Sequence, residues 1–337
     1  MKLNKKEIIV YVSSRNNYDM VEGAVLKNIP LDGYEFVNVD DGSCEAEITK
    51  GKEQANRLGF TFLQNKSRGV QWATQTVIDW VNENRPECKY IVCFQHDNYP
   101  LDLDFFNQMN RHVNAMEAED VKIGLIGFNV LDKGNYTGDA YERWNNLEEV
   151  KGMIGLCHLG IMDNSKRWLC PKRQPELIKH PGFNRPFAIE FPMWAALGIN
   201  VESWNKIILP TTDYQFHLWA PDIAFQFNLH NYMSVILPDI HCLNDQALKN
   251  DFGIDENSAR GAMNGNEFHF GEYGPHLENF KKRWGWDYEN VKDTYPQVRE
   301  NYLGSLIEKY YIHDITTGPI WNARADFYTS LEHGLTL

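Results

Sequence analysis

The sequence predicts an α/β protein built on a mostly parallel, doubly wound sheet with helices on both faces, and three observations lead there. Strand-like apolar runs alternate with helix-patterned segments through the first 130 residues. A polar cluster follows each of three successive strands: Asp40-Asp41, Asn65 to Gly69 and Gln95-His96-Asp97. The run before the last cluster, Tyr90 to Phe94, is β-branched, aromatic or apolar throughout, as a strand covered on both faces requires. Open α/β sheets bind ligands at the carboxyl ends of their strands.

In chain order, Glu7 to Ser14 reads as the first strand, and Arg15 to Asp19 as the loop into a helix reaching Leu26. Tyr34 to Val39 is the second strand, ending in Asp-Asp-Gly-Ser. Glu45 to Leu58 is helical, and Gly59 ends it. Phe60 to Leu63 is a third strand, and Val70 to Asn82 a helix carrying Trp72, Ala73, Val77, Trp80 and Val81. After the fourth strand Pro100 closes a turn, and Phe105, Phe106, Met109, Val113 and Met116 have the three-and-four spacing of a sheet-packing helix. Lys122 to Val130 makes a fifth strand. Met153 to Met162 reads as another strand, and Asn164 to His180 as a basic surface loop.

Composition narrows the function classes. The chain has 337 residues and a formal charge of −13, which argues against nucleic acid or an anionic membrane as partner. Six cysteines lie scattered without a C-x-x-C pair, as expected of thiols in a reducing compartment. No signal peptide and no apolar run of membrane-spanning length is present, so a cytoplasmic location is expected.

The first half resembles the GT-A-fold glycosyltransferases, in particular the large family 2 of inverting sugar transferases. The likeness is carried by a strand running into Ser13-Ser-Arg-Asn16, then Val39-Asp-Asp-Gly-Ser43, then Asn65 with Gly69, then a strand ending near a DxD-type acid. It implies a nucleotide-sugar site formed by Ser13, Arg15, Asp40, Asp41, Asn65, Gly69, Gln95 and His96. Asp40 or Asp41 would meet base N–H groups or ribose hydroxyls. The departure is Gln95-His96-Asp97 in place of Asp-x-Asp, so Asp97 alone keeps the family's metal-ligand role.

The resemblance resumes from Phe187 to Leu243. Phe191 to Val201 would line the acceptor pocket, and Ala220-Pro221-Asp222 has proline at a first helical turn followed by Ile223, Phe225, Phe227 and Leu229. Asp222 matches the family's general base on the acceptor hydroxyl. His241, at the end of a late strand from Val235, matches the late histidine that completes a metal site in several relatives. Imidazole, carboxylate and diphosphate oxygens suit Mn²⁺ or Mg²⁺. Phe280-Lys-Lys-Arg-Trp-Gly285 is similar to a short helix found late in such sequences, and Tyr295 to Asp314 has one apolar face. The resulting division is 1–130 for the donor half, 131–244 for the acceptor half and 245–337 for a mostly helical extension.

These expectations describe transfer of a sugar from a nucleotide-sugar donor, a UDP-sugar first among candidates, to a glycan or other hydroxyl acceptor, with inversion and metal assistance. The alternative is a non-catalytic nucleotide-sugar or glycan-binding protein on the same fold, prompted by Gln95 standing where an acid is usual. A sugar-1-phosphate nucleotidyltransferase would want an early glycine-rich phosphate loop, and Ser13-Ser-Arg-Asn16 lacks those glycines.

Overall fold

The structure is a computed structural model of the chain. It describes residues 4–118, 120–133, 186–189, 192, 196–214, 218–230, 232–245, 248, 251–252 and 273–284. The strand expected from Met153, the basic loop from Asn164 and the helix expected from Tyr295 lie outside the described residues.

Strand β1 (Ile8–Ser14) is central to the first half, with every residue from Ile8 to Val12 buried. It pairs in parallel with β2 (Glu35–Asp40) on one side and β4 (Tyr90–Phe94) on the other; β3 (Thr61–Gln64) lies beyond β2, also parallel. Chain order therefore runs outward from β1 to β3 and then jumps back across β1 to β4. That reversal is a topological switch point, and it opens a crevice at the carboxyl ends of β1 and β4. The helical run between β1 and β2 is interrupted: Tyr18–Met20 and Leu26–Asn28 are α-helical, whereas Val21–Val25 has π geometry.

Helix α1 (Glu45–Leu58) ends where expected, on left-handed Gly59. Helix α2 (Val70–Asn84) starts from Gly69, whose φ of 114° is open to glycine and costly for other residues. Helix α3 (Phe105–Ala118) buries the five apolar residues whose spacing predicted it.

The second half departs from a purely parallel sheet. Strand β8 (Ala196–Asn200) is antiparallel to both β4 and β6 (Ile123–Lys133) and sits between them. Two short strands that patterning did not separate, β5 (Asn98–Pro100) and β7 (Phe187–Ile189), run antiparallel to β9 (Met233–Asp245). Pro100 thus belongs to a short β5 ladder and does not close a turn. β9 itself is parallel to β6, with a register shift that skips Pro238 to Ile240. The strand order is β3-β2-β1-β4-β8-β6-β9-β5, with β7 off this path on β9.

Helix α4 (Val201–Ile207) follows β8, capped by the Asn200 side chain. Helix α5 (Trp219–Leu229) is buried from Trp219 to Asn228 and has no solvent face over that span, so its apolar residues do not sort to one side. Helix α6 (Tyr273–Trp284) packs onto it: the Phe280 ring lies 5.8 Å from that of Phe225, and the Trp284 ring 5.3 Å from the same residue. Aromatic contacts of this size hold the late helix against the body.

Candidate functional site

Ser14, the last residue of β1, joins the two sides of the crevice. Its carbonyl accepts the main-chain N–H of Asp41 at 2.8 Å, and its Oγ accepts Asn38 Nδ2 at 2.5 Å. On the other side His96 Nε2 lies 3.0 Å from the same Oγ. The register explains the meeting: Val12 pairs with Phe94, and two further residues along each strand bring Ser14 beside His96. Ser13, Arg15, Asp40, Asp41, Gln95, His96 and Asp97 therefore all lie at one end of the same three adjacent strands.

The two aspartates at the end of β2 do different work. Asp40 accepts the Tyr18 hydroxyl at 2.6 Å on Oδ2 and the N–H groups of Gly42 and Ser43 at 3.1 and 3.2 Å on Oδ1. Its carboxylate is committed to shaping the Asp-Gly-Ser turn. Burial, reinforced by Asp40, raises the Tyr18 phenol, which stays a neutral donor. Asp41 receives Asn65 Nδ2 at 2.8 Å and the Gly69 N–H at 2.9 Å, both on Oδ1. Among the described residues no donor engages its Oδ2. Burial raises the Asp41 carboxyl above the usual range, against the lowering effect of the Gly69 and Asn65 hydrogen bonds and of the Arg15 and Arg68 charges. Asn65 is held in turn by Thr76 Oγ1 at 3.0 Å, so the Asn65–Gly69 loop is tied at both ends.

Asp97 is buried at the end of β4, 6% exposed. The acid brought beside it is Asp245, 4% exposed, whose N–H donates to the Asp97 carbonyl at 2.6 Å. Tyr99 donates to Asp245 Oδ2 at 3.1 Å, and that acid together with burial raises the phenol. His241, expected to share an ion with Asp97, lies four residues back along β9, where its carbonyl accepts the Leu101 N–H at 3.0 Å. At about 3.3 Å per strand residue the two backbones are roughly 13 Å apart, too far for one ion to bridge through an imidazole and a short carboxylate. Among the described residues no group of three or more His, Cys, Asp and Glu is arranged to hold a metal. Two carboxylates are nonetheless the hard oxygen donors that Mn²⁺ or Mg²⁺ takes, with its other positions left to phosphate oxygens and water.

Asp222 lies in the first turn of α5 and is 0% exposed. Gln71 and Gln226 donate to its Oδ2 at 3.0 and 2.9 Å; Trp284 Nε1 donates to Oδ1 at 2.8 Å, and Arg283 Nε stands 3.3 Å from the same oxygen. Burial raises this carboxyl, opposed first by the Arg283 charge. Both oxygens of the acid expected to act as general base are thus engaged by donors from this chain. Gln71, Gln226, Arg283 and Asp245 were not singled out from sequence as site residues, and Trp284 reads from sequence only as an aromatic that could stack on a sugar face or pack in an accessory lobe. The Arg-Trp pair had a signal, the late Phe-to-Gly segment; glutamines inside helical patterns had none.

Compared with solved structures, the chain resembles GalNAc-T7 with UDP, GalNAc and Mn²⁺ at a TM-score of 0.50 and 12% identity, over 90% of this chain and 56% of that one. The chain thus spans about half the length of that relative. It is also similar to the mannosyltransferase PcManGT from Pyrobaculum calidifontis in complex with GDP-Man and Mn²⁺, at 0.45 and 14%, over 98% of this chain and 84% of that one. A third likeness is to S. aureus TarS, at 0.41 and 11%, over 97% of this chain and 55% of that one. No protein-family model and no curated protein matches the sequence. At these identities the likeness is one of architecture: the chain has the GT-A fold found in glycosyltransferases.

Proposed function

We propose that the protein is a glycosyltransferase that moves a sugar from a nucleotide-sugar donor to an acceptor hydroxyl with inversion. The observation that supports this reading is the meeting of Asp41 and His96 on Ser14 at the carboxyl ends of β1 and β4. A UDP-sugar is the first donor to test.

In this reading Asp41 Oδ2 receives a ribose hydroxyl or a base N–H, while Asn65 and Gly69 hold its other oxygen still. Asp40 serves by fixing the turn. Ser13, Arg15, Gln95 and His96 border the path of the diphosphate. Asp97 with Asp245 would hold a divalent ion, which supplies charge stabilisation to the leaving diphosphate. Asp222 accepts the proton of the acceptor hydroxyl, which takes the place of one of the present donors; its raised carboxyl suits a base. The acceptor is a glycan or another hydroxyl compound, and a cytoplasmic setting fits the thiol usage. Among the described residues no helix is long and apolar enough to cross a membrane.

The test is a thermal-shift screen of UDP-, GDP-, CMP- and dTDP-sugars with and without Mn²⁺. A donor at a hundredfold its Kd contributes about 2.7 kcal/mol of stability. Stabilisation by one nucleotide class, larger with Mn²⁺, is expected; no response to any of them would end the transferase reading and the binding-protein alternative together. Binding without turnover on offered acceptors would favour that alternative, which Gln95 motivates.

A further inference from the structure

Gln71 lies between the loop read as the nucleotide site and the carboxylate read as the base. It is the second residue of α2, two positions after Gly69, whose N–H donates to Asp41. Its side chain is fully buried. Nε2 donates to Asp222 Oδ2 at 3.0 Å and to the Trp219 carbonyl at 3.4 Å, while Oε1 accepts the Thr211 N–H at 3.0 Å. One amide thus bonds to α5 and to the segment before it, from a helix that begins at the donor loop.

The chemistry allows this amide a single orientation. Its acceptor must face the Thr211 N–H and its donors the carboxylate and the carbonyl; a flip would oppose like atoms at each contact. Being buried, it has no water to satisfy an alternative. Only Val70 separates it from Gly69, so the path from the Asn65–Gly69 loop to Asp222 is short and stiff. Asp222 passes it on to α6 through Trp284 at 2.8 Å.

We propose that Gln71 is a positioning residue coupling the Asn65–Gly69 loop to Asp222, so that binding a nucleoside diphosphate at the loop sets the orientation of the carboxylate. The inference rests on the glycosyltransferase reading. Coupling of this kind is reciprocal: an occupied acceptor side tightens the loop by the same factor.

Hydrogen exchange on the full chain tests it, with UDP or GDP and Mn²⁺ as probes. In the native protein one nucleotide is expected to slow exchange at least threefold both at 65–69 and at 219–229. In Gln71→Met, nearly isosteric but without the amide, the nucleotide effect remains at 65–69 and disappears at 219–229. A merely structural role would change exchange in 219–229 equally with and without nucleotide, which overturns the inference. Native protein protected at 65–69 but not at 219–229 also overturns it, and needs no variant to fold. Gln71→Asn, which draws the amide back by one methylene, makes the same comparison if the methionine variant is unstable. Absence of protection at 65–69 by either nucleotide removes the nucleotide reading, and this coupling with it.

Discussion

Trp284 donates its indole N–H to Asp222 at 2.8 Å, from 62 residues further along the chain. A late helix is therefore fastened to the acid in the first turn of α5, and Arg283 beside it supplies a cation at that acid. Removing the acid has two separable consequences. Asp222→Asn keeps one acceptor oxygen and is expected to lower transfer by about 10²- to 10⁴-fold while nucleotide affinity is retained. Normal turnover in the purified variant would remove Asp222 from the chemistry. Asp222→Ala leaves three side-chain donors and the Arg283 charge without their acceptor, and should cost roughly 3–5 kcal/mol in urea unfolding.

Asp97→Ala tests the oxygen-donor pair. Titration calorimetry of UDP with and without Mn²⁺ is expected to show at least tenfold metal-dependent affinity in the native protein, about 1.4 kcal/mol, and none in the variant. Asp245→Asn should lose part of the same increment. Equal affinity in every combination would leave the two acids a structural role.

The pH dependence follows from Asp41. Its folded carboxyl is raised by burial above the unfolded value near 3.9, so the folded state binds the proton more tightly than the unfolded one. This group's contribution to stability is therefore full below about pH 3.9 and is lost as pH rises through the folded value. Asp41→Asn keeps an oxygen for Asn65 and Gly69 but cannot ionise. The difference in unfolding free energy between native and variant should thus change from about pH 4 upward, with the variant gaining relative to the native protein. A constant difference across pH 3–7 would show that Asp41 does not titrate in that range.

Gly51 tests the packing behind Asp40. A Cβ there would stand 2.5 Å from Tyr18 Cε1 and 2.6 Å from Phe62 Cε2. Alanine in a helix gains up to about 1 kcal/mol over glycine, but overpacking a buried contact costs roughly 1–3 kcal/mol, so the clash prevails. Gly51→Ala is expected to lower stability by about 1–2 kcal/mol in urea unfolding. Because Tyr18 holds Asp40 at 2.6 Å, the same change should weaken nucleotide binding at the neighbouring Asp41. Unchanged stability would mean that the ring shifts freely.

Much of the first 130 residues was legible because the signals there are local. Apolar runs at Ile8 and Tyr90 form strands wherever both faces are covered, and Gly59 can end a helix through its own backbone freedom. Asp-Asp-Gly-Ser after a strand marked a turn, and polar clusters after parallel strands share an edge by geometry alone. The second half was harder to read. The run from Ala196 to Asn200 has strand composition, yet nothing local says that it inserts antiparallel between β4 and β6.

What the sequence determined by itself was the alternation of strand and helix, the edge on which the polar clusters gather and the acids worth testing, since these follow from periodicity and short-range turn chemistry. Tertiary structure alone decided that Asp40 shapes a turn while Asp41 holds Asn65 and Gly69 through one oxygen, that Asp245 rather than His241 adjoins Asp97, and that Gln71 and Trp284 meet on Asp222. Each of those depends on register or on contacts between residues distant in sequence. A hydrogen bond spanning 151 positions, as from Gln71 to Asp222, is specified by the packing of whole elements and leaves no trace in the residues around either end.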